Sequence, residues 1–343
     1  MLQLIERIII WFRGGTLKLL LLAGLILLAW GIFAPVGTLI WWLSQDSESL
    51  NLRRSRSHRL PSDENSNSVT KSSQINCYIV FLTGVGDFSA NQLAPGEEIF
   101  VDRLVELHPN CVAVKDVFPY SAANESLGGR RLLAPLWRAA EEASGWLENA
   151  DILIKIRNLW RFAISVDNRY GPVYNEGIAI AVVDRMNAAQ PIPNSQDSPL
   201  KLILIGTSGG AQVALSAAPY LDQWLDVRLI VLSIGGDFAG TNGFNAADHI
   251  YHLEGRRDWI EDISTIVFPG RWPWTVASPF NQARRQGRYT VLVSGSHAHD
   301  GATGYFGREP VGKNGTTYVD LTLQKVNQLP IWSNPTKPSV RKS

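Results

Sequence analysis

Between residues 75 and 330, short apolar and β-branched runs alternate with longer segments that have helical spacing. Apolar runs of this length, without alternating polar residues, are typical of parallel strands that are buried on both faces of a sheet. Strands that alternate with helices along a chain favour an α/β fold with a mostly parallel sheet flanked by helices. The pattern predicts six strands, at 75–83, 110–118, 200–206, 227–235, 249–255 and 288–295.

The segments between these strands predict helices at 96–108, 172–189, 211–224 and 318–329. The segment 127–170 is too long for a simple crossover and contains three tryptophans, Trp137, Trp146 and Trp160. It has two interpretations: a helical insertion that covers one end of the sheet as a lid, or a longer crossover whose tryptophans are buried.

The N-terminal part of the chain has a different character. Leu19 to Leu43 contains no charged residue, and as a helix it would be ~37 Å long, against about 30 Å for the hydrocarbon core of a bilayer. We expect a transmembrane helix over 19–43, preceded by a flank at 1–18. The alternative is a cleaved signal peptide, whose apolar region is normally shorter than this segment.

A polar, Ser/Asn/Arg-rich linker is predicted over 44–74, because it has too few large apolar groups to offset the entropy of ordering the chain. The globular domain is expected over 75–330, with a short C-terminal tail over 331–343. Arg7, Arg13 and Lys18 precede the apolar segment, and four arginines follow it, at 53, 54, 56 and 59. By this count of flanking cations the positive-inside rule weakly favours a cytoplasmic domain.

Composition excludes some classes of function. The formal net charge is +1, which argues against nucleic acid as a partner because no basic excess is present to neutralise phosphates. The two cysteines, Cys77 and Cys111, form no CxxC pair, and the six histidines form no H-E-x-x-H motif, so no metal site is predicted. Both cysteines open successive strands; a disulfide is conceivable, but buried free thiols are expected.

The strand at 200–206 runs into Gly206-Thr207-Ser208-Gly209-Gly210 and then into a helix of small residues. A G-x-S-x-G pattern between a strand and a helix is typical of a sharp turn that holds its serine in a strained conformation. The helix N-terminus also places positive partial charge beside the serine. Ser208 is therefore either a nucleophile or a serine that caps the helix in an ordinary tight turn.

A nucleophilic serine needs a general base, and the base needs an acid that orients it. Asp258 comes shortly after the fifth predicted strand, and His297 and His299 follow the sixth. Because open α/β sheets have their sites at the carboxyl ends of the strands, we expect Ser208, Asp258 and His299 to form a triad.

Each partner has an alternative. Asp237 also follows a strand and is the second choice for the acid, since Asp258 could be a surface residue beside Arg256 and Arg257. His297 is the second choice for the base, although it could be a loop histidine packed against its neighbour.

The strand–GTSGG–helix unit, with Asp258 and His299 after later strands, resembles the α/β-hydrolase fold family over residues 75–330. The resemblance implies an oxyanion hole formed by the backbone N–H of Gly209 and that of Val85 or Gly86, in the loop T-G-V-G-D-F-S. The family's first two antiparallel strands have no counterpart here, because only the linker precedes the first predicted strand. Thr83 stands where many members have histidine.

These observations predict a membrane-anchored serine hydrolase that cleaves an ester through a Ser–His–Asp triad and needs no cofactor. Trp259, Trp272 and Trp274 lie in a segment read as a loop that borders the site. They would favour a hydrophobic or lipid-like substrate, contact the bilayer, or pack the loop. An acyltransferase on the same fold, or a non-catalytic membrane-tethered scaffold, is the alternative function.

Overall fold

The computed structural model describes residues 75–86, 92–120, 150–167, 169–192, 200–241, 243–312 and 315–332, with the backbone alone for 150–157. Six strands in these ranges form one sheet in the order β2-β1-β3-β4-β5-β6, and every neighbouring pair is parallel. The strands are β1 Cys77–Leu82, β2 Cys111–Val117, β3 Leu200–Thr207, β4 Val227–Ile234, β5 His249–Gly255 and β6 Tyr289–Gly295. The prediction of an α/β fold with a parallel sheet is confirmed.

The described ranges also contain eight α-helices. They are α1 Pro95–Leu107, α2 Ala150–Val166, α3 Gly171–Ala189, α4 Gly209–Trp224, α5 Gly243–Ala246, α6 Trp259–Val267, α7 Pro279–Arg285 and α8 Tyr318–Asn327. Helices α1, α3, α4 and α8 agree with the sequence prediction to within two residues at each end. Helix α6 lies where the sequence was read as a loop, so that reading is wrong.

Helix α6 forms because Asp258 caps its N-terminus and accepts a hydrogen bond from the backbone N–H of Ile260 (3.2 Å). Glu261 and Asp262 lie in its first turn, where acidic side chains are favoured by the helix dipole. The helix ends at Val267, and Pro269 begins a short 3₁₀ turn over Pro269–Arg271.

The order of the strands places a topological switch point between β1 and β3. The chain leaves β1 toward β2 on one side and returns to β3 on the other. In open α/β sheets the connections that leave the carboxyl ends of two such strands diverge and open a crevice. Because Leu82 of β1 pairs with Gly206 of β3, the loop after β1 and the serine after β3 lie side by side at this point.

Two apolar clusters fill the two faces of the sheet. On one face Tyr78, Val80 and Leu82 of β1 pack with residues of α3 and α4. On the other face Ile79 and Phe81 pack with residues of α1 and α8. This alternation along one strand, with both sets buried, is what a central parallel strand requires.

A disulfide joins Cys77 and Cys111, with their Cα atoms 4.3 Å apart. The expectation of free thiols is therefore wrong. The two residues open β1 and β2 and are direct partners in the parallel register, which brings their side chains to the same face of the sheet. The bridge ties the edge strand β2 to the centre of the sheet.

None of the helices in the described ranges is long and apolar enough to cross a bilayer. The predicted flank, span and linker at 1–18, 19–43 and 44–74 lie outside those ranges, as does most of the predicted tail. Ile331 and Trp332, the first residues of that tail, are described: Ile331 is buried, and the Trp332 ring stacks on His108 at 3.8 Å.

Candidate active site

Ser208 is the single residue between β3 and α4, and its backbone is strained. Its φ of +48° is the only positive φ outside glycine among the described residues. The turn needs the glycines on either side: a Cβ on Gly206 would lie 2.5 Å from the backbone N of Ala211, and one on Gly210 would lie 2.3 Å from the carbonyl O of Leu82. A residue held in such a conformation is typical of functional sites.

The Ser208 hydroxyl does not cap helix α4. Its Oγ lies 3.0 Å from Nε2 of His299 instead. The interpretation of Ser208 as a capping residue in an ordinary turn is therefore wrong, and the hydroxyl is in hydrogen-bond contact with a possible general base.

His299 and Asp258 form the second link. Nδ1 of His299 lies 2.9 Å from Oδ1 and 3.1 Å from Oδ2 of Asp258. The Asp258 side chain is 1 % exposed, so it is not a surface residue paired with arginines. The structure thus brings Ser208, His299 and Asp258 together from the ends of three different strands, in the arrangement that a nucleophile, base and orienting acid require.

Tyr305 fixes the Asp258 carboxylate, and sequence reasoning did not single it out. Its hydroxyl donates to Oδ2 of Asp258 (2.8 Å) and accepts a hydrogen bond from the backbone N–H of Gly255 (2.7 Å). With the Ile260 N–H on Oδ1, each carboxylate oxygen has a donor besides the histidine. One sequence feature could have pointed to this role: Tyr305 ends the H-D-G-x-x-G-Y segment and lies six residues after His299.

The two charges of the pair shift each other's pKa. Burial disfavours the imidazolium of His299, but the hydrogen bond and the charge of Asp258 outweigh it and raise the pKa of His299. Burial likewise disfavours the Asp258 carboxylate, but the hydrogen bond and charge of His299, together with Tyr305, lower the pKa of Asp258. A base whose cationic form is stabilised in this way is suited to accepting a proton from a hydroxyl.

His297, the alternative base, lies elsewhere and is fully buried. Its Nδ1 contacts Oγ of Ser294 (3.0 Å), and its Nε2 contacts the backbone carbonyl of Tyr318 (3.1 Å). The ring stacks on Tyr305 at 5.2 Å. Burial lowers the pKa of His297, and the ring packs against Tyr305 rather than facing Ser208.

Asp237, the alternative acid, is near the site without a hydrogen bond to either histidine among the described residues. Its backbone N–H donates to the carbonyl of Ser208 (3.0 Å), and its Oδ1 is buried with no hydrogen-bond partner in the same ranges. Burial raises the pKa of Asp237 to about 6, while the charge of His299 opposes that shift. The side chain is a second carboxylate beside the triad.

The residues predicted to form the oxyanion hole adjoin Ser208. A Cβ on Gly84 would lie 2.9 Å from Cβ of Ser208, and one on Gly209 would lie 2.5 Å from the Val85 side chain. Gly209 is the first residue of α4, so its N–H has no partner within the helix. These contacts place Gly84 and the Val85 side chain against the Ser208–Gly209 turn; the oxyanion-hole role of Gly209, Val85 and Gly86 stays a prediction.

Helix α2 covers this end of the sheet. The Asn158 side-chain amide donates to the carbonyl of Val85 (3.0 Å) and so fixes the peptide group that carries the Gly86 N–H. The Phe162 ring lies 6.0 Å from the Phe268 ring, and a Cβ on Gly209 would be 2.9 Å from Phe162. Trp160 is exposed. The insertion over 127–170 stays a prediction, because residues 127–149 lie outside the described ranges. Trp137 and Trp146 lie outside the described ranges.

A cluster of charged side chains separate from Ser208, His299 and Asp258 includes one residue of α6. Within the described ranges, His252, Glu254 and Glu261 offer ligand atoms that are within 4.8 Å of one another, as a metal site requires. The Arg271 guanidinium, however, already donates to Oε1 of Glu261 (2.5 Å), which puts a cation on one of the carboxylates. A cavity of about 630 Å³ adjoins this cluster, and no member of the triad lines it.

Comparison of the chain with models of known protein families gave no match, and comparison with curated proteins gave none either. The six-stranded parallel sheet with helices on both faces is an α/β fold that is compatible with that of the α/β-hydrolases.

Proposed function

We propose that this chain is a membrane-anchored serine hydrolase with the α/β-hydrolase fold, and that it cleaves a carboxylic ester with a hydrophobic or lipid-like acyl group. One observation carries the proposal: hydrogen bonds run without a gap from Ser208 Oγ to His299 Nε2 (3.0 Å) and from His299 Nδ1 to Asp258 (2.9 Å). Residues with these roles are recognised by their geometry rather than by their order in the sequence.

The positions of the three residues in the fold support the family assignment. Ser208 lies in a strand–turn–helix unit with a positive φ, the structural context expected of a nucleophile in this family. Asp258 follows β5 and His299 follows β6, so the order along the chain is serine, acid, histidine, as in the family. The family's two leading antiparallel strands are not among the described strands, and the site does not depend on them.

The first half of the reaction forms an acyl-enzyme. Ser208 Oγ attacks the ester carbonyl carbon while His299 Nε2 accepts the hydroxyl proton. The tetrahedral intermediate collapses as His299 returns that proton to the alkoxide oxygen, and the alcohol leaves. Asp258 keeps the imidazole oriented with Nε2 toward Ser208 and stabilises the imidazolium while it exists.

The second half releases the acid. A water molecule gives a proton to His299 and attacks the acyl carbon, and the proton then returns to Ser208 Oγ as the carboxylic acid departs. In both halves the negative oxygen would be bound by the N–H of Gly209 and that of Val85 or Gly86. Loss of one such donor typically costs ~3 kcal/mol of transition-state stabilisation.

Three features support a hydrophobic substrate and a membrane location. Phe162 and Phe268 pack against each other near the Ser208 turn, which gives the site an apolar wall. The sequence provides 25 uncharged residues from Leu19 to Leu43, which is long enough for a bilayer span. Trp259 and Trp274 are exposed, as expected for residues that meet an acyl chain or a lipid surface.

A fluorophosphonate probe, which reacts with activated serines, tests the proposal. We expect the wild-type protein to be labelled and Ser208→Ala to be unlabelled, while the matched variant Ser296→Ala, at an exposed serine, keeps full labelling. Hydrolysis of a p-nitrophenyl ester should follow the same pattern. Labelling that persists in Ser208→Ala would remove the serine from its role, and an unlabelled wild type would favour the non-catalytic scaffold.

A further inference from the structure

Helix α6, which begins at the proposed catalytic acid, has its apolar side facing outward. Trp259, Ile263, Ile266 and Val267 fall at spacings of four, three and one residues, which place them on one face of a helix. Their exposed fractions range from 43 to 70 %. The buried residues of the same helix are Glu261 and Ser264. This is the reverse of what a helix at a water-facing surface normally shows.

Charged contacts hold α6 in this orientation. The Arg271 guanidinium donates to Oγ of Ser264 (2.8 Å) and to Oε1 of Glu261 (2.5 Å). His252 Nε2 lies 3.6 Å from the same Glu261 oxygen, and Arg271 also stacks over the Phe238 ring at 4.3 Å. Turning the apolar face inward would break these contacts and leave the buried Arg271 without its partners. The outward orientation of the apolar face of α6 is therefore a fixed feature of the fold.

The segment after α6 extends the exposed apolar surface. The indole N–H of Trp272 donates to the carbonyl of Ile266 (3.0 Å), and the Trp272 and Trp274 rings are 5.2 Å apart. Trp274 is 71 % exposed, and Val276 is also exposed. We call this surface the apolar rim; it consists of Trp259, Ile263, Ile266, Val267, Trp274 and Val276. Exposed apolar patches of this kind mark interaction sites.

Cations border the apolar rim. Arg285 is exposed and donates to the backbone carbonyl of Val276 (2.8 Å), which places its charge directly beside the rim. Arg284 precedes it on α7, and Arg256 and Arg257 are exposed just before Asp258. Apolar side chains with tryptophans at their edge and basic residues around them are the composition that binds the headgroup layer of an anionic bilayer.

The rest of the chain identifies the occupant of this surface as a lipid bilayer. The uncharged segment Leu19–Leu43 and the domain are separated by the 31 residues 44–74, a connection that can extend to ~100 Å. A domain tethered by such a connection stays within reach of the membrane surface at all times. We propose that the apolar rim docks into the headgroup and upper acyl layer of an anionic bilayer, and so holds the Ser208 site next to its lipid-like substrate.

The docking proposal rests on the proposed membrane anchor and substrate class, but its first test does not depend on catalysis. Because Cys77 and Cys111 are bridged, Ile266→Cys provides one thiol for an environment-sensitive fluorophore in the full-length chain. Leu107→Cys is the matched control, since Leu107 is also an exposed apolar residue at a helix end and lies on α1, away from the rim. Both labelled proteins are reconstituted into phosphatidylcholine–phosphatidylserine vesicles with brominated acyl chains.

Brominated chains quench only a fluorophore that enters the lipid. We expect the label at 266 to lose its emission in these vesicles and the label at 107 to retain it. An unquenched label at 266 would overturn the proposal, whether the rim faces water, a second copy of the chain or another segment of the same chain.

A second test links docking to turnover. The double variant Ile263→Ser/Ile266→Ser should hydrolyse a water-soluble short-chain ester at the wild-type rate and lose several-fold activity on an ester presented in anionic vesicles. Equal activity of variant and wild type on the vesicle ester would contradict the docking proposal. A wild type inactive on the soluble ester would count against the hydrolase alone, because the quenching measurement still decides the docking.

Discussion

Helices α4 and α6 make an informative pair, because each begins directly after a residue of the proposed triad. Ser208 precedes α4 without capping it, and nearly every residue in the first three turns of α4 is buried. Asp258 precedes α6 and does cap it, yet α6 buries polar residues and exposes apolar ones. One helix is part of the core, and the other is a surface element fastened by charges.

The difference teaches what each helix contributes to the site. The serine is held by close backbone packing on both sides, so its hydroxyl remains available to His299. The Asp258 carboxylate is fixed by hydrogen bonds from Tyr305 and from the first turn of α6. Arg271 bonds the buried Glu261 and Ser264 of the same helix. Rigid backbone thus positions the proposed nucleophile, and polar contacts position the proposed acid.

The largest expected effect separates the two candidate acids. Asp258→Asn should lower kcat/KM by about 10⁴-fold, because an amide in that position favours the wrong imidazole tautomer. Asp237→Asn should retain most of the activity. Steady-state hydrolysis of a p-nitrophenyl ester measures both; the opposite ranking would make Asp237 the orienting acid.

The pH profile of the same variants is an internal control. His299 must be neutral to accept a proton, so kcat/KM should rise as pH passes through a His299 pKa that lies above the ordinary value of about 6.5. Loss of the Asp258 charge lowers that pKa, so the residual activity of Asp258→Asn should rise at a lower pH. Asp237→Asn should shift the profile in the same direction by less, because the charge of Asp237 also raises the His299 pKa.

The next effect tests whether charges fasten α6. Arg271→Ala leaves the buried Glu261 without its cation, and we expect the free energy of unfolding to fall by about 3–5 kcal/mol at neutral pH. Arg185→Ala, which breaks the exposed Arg185–Asp116 pair, should cost less than about 1 kcal/mol. Urea denaturation measures both, and equal costs would show that Arg271 does not hold the helix.

The dependence of stability on acidic pH is a second test of the Glu261–Arg271 contact. Burial disfavours the Glu261 carboxylate, but His252 and Arg271 outweigh it and lower the pKa of Glu261 to about 2. Its contribution to stability is therefore present above the unfolded pKa of about 4.5 and is lost as pH falls toward 2. Glu261→Gln should flatten the stability profile in that range, and an unchanged slope would contradict the assignment.

The smallest effect concerns the residues that precede helices α4 and α8. Since the Ser208 hydroxyl does not cap α4, Ser208→Ala should change the free energy of unfolding by less than about 0.5 kcal/mol. Thr317→Ala removes the capping box of α8 and should cost about 1 kcal/mol. Thermal or urea unfolding of both variants checks the pair; a loss in Ser208→Ala as large as that in Thr317→Ala would indicate that the serine stabilises the helix.

The sequence predicted the parts whose surroundings are apolar. Strands such as Leu200–Thr207 are nearly continuous apolar runs, and helices such as Gly209–Trp224 are rich in small apolar residues. The polar residues that follow the strands meet at one edge of the sheet. Helix α6 was missed because its apolar face does not point to the core. The start signal was nevertheless present, as Asp258 is followed three residues later by Glu261.

Other features depend on contacts between distant segments. Tyr305 contacts Asp258 across 47 residues, and Arg271, in the 3₁₀ turn after α6, contacts Glu261 across ten. No local pattern encodes such distances. His297 and His299 are two positions apart in the loop that follows β6. The His297 ring packs on Tyr305, whereas His299 faces Ser208.

The bridge between β1 and β2 bears on the cellular compartment of the domain. Disulfides form and persist in oxidising compartments such as a periplasm or secretory lumen, whereas glutathione and thioredoxin keep thiols reduced in the cytosol. If the proposed anchor spans a membrane, the Cys77–Cys111 bond favours a domain on the oxidising side, opposite to the side favoured by the cations that flank the apolar segment. The proposed hydrolase would there meet lipids of the outer leaflet or the lumen, so its substrate would reach it without entering the cytosol.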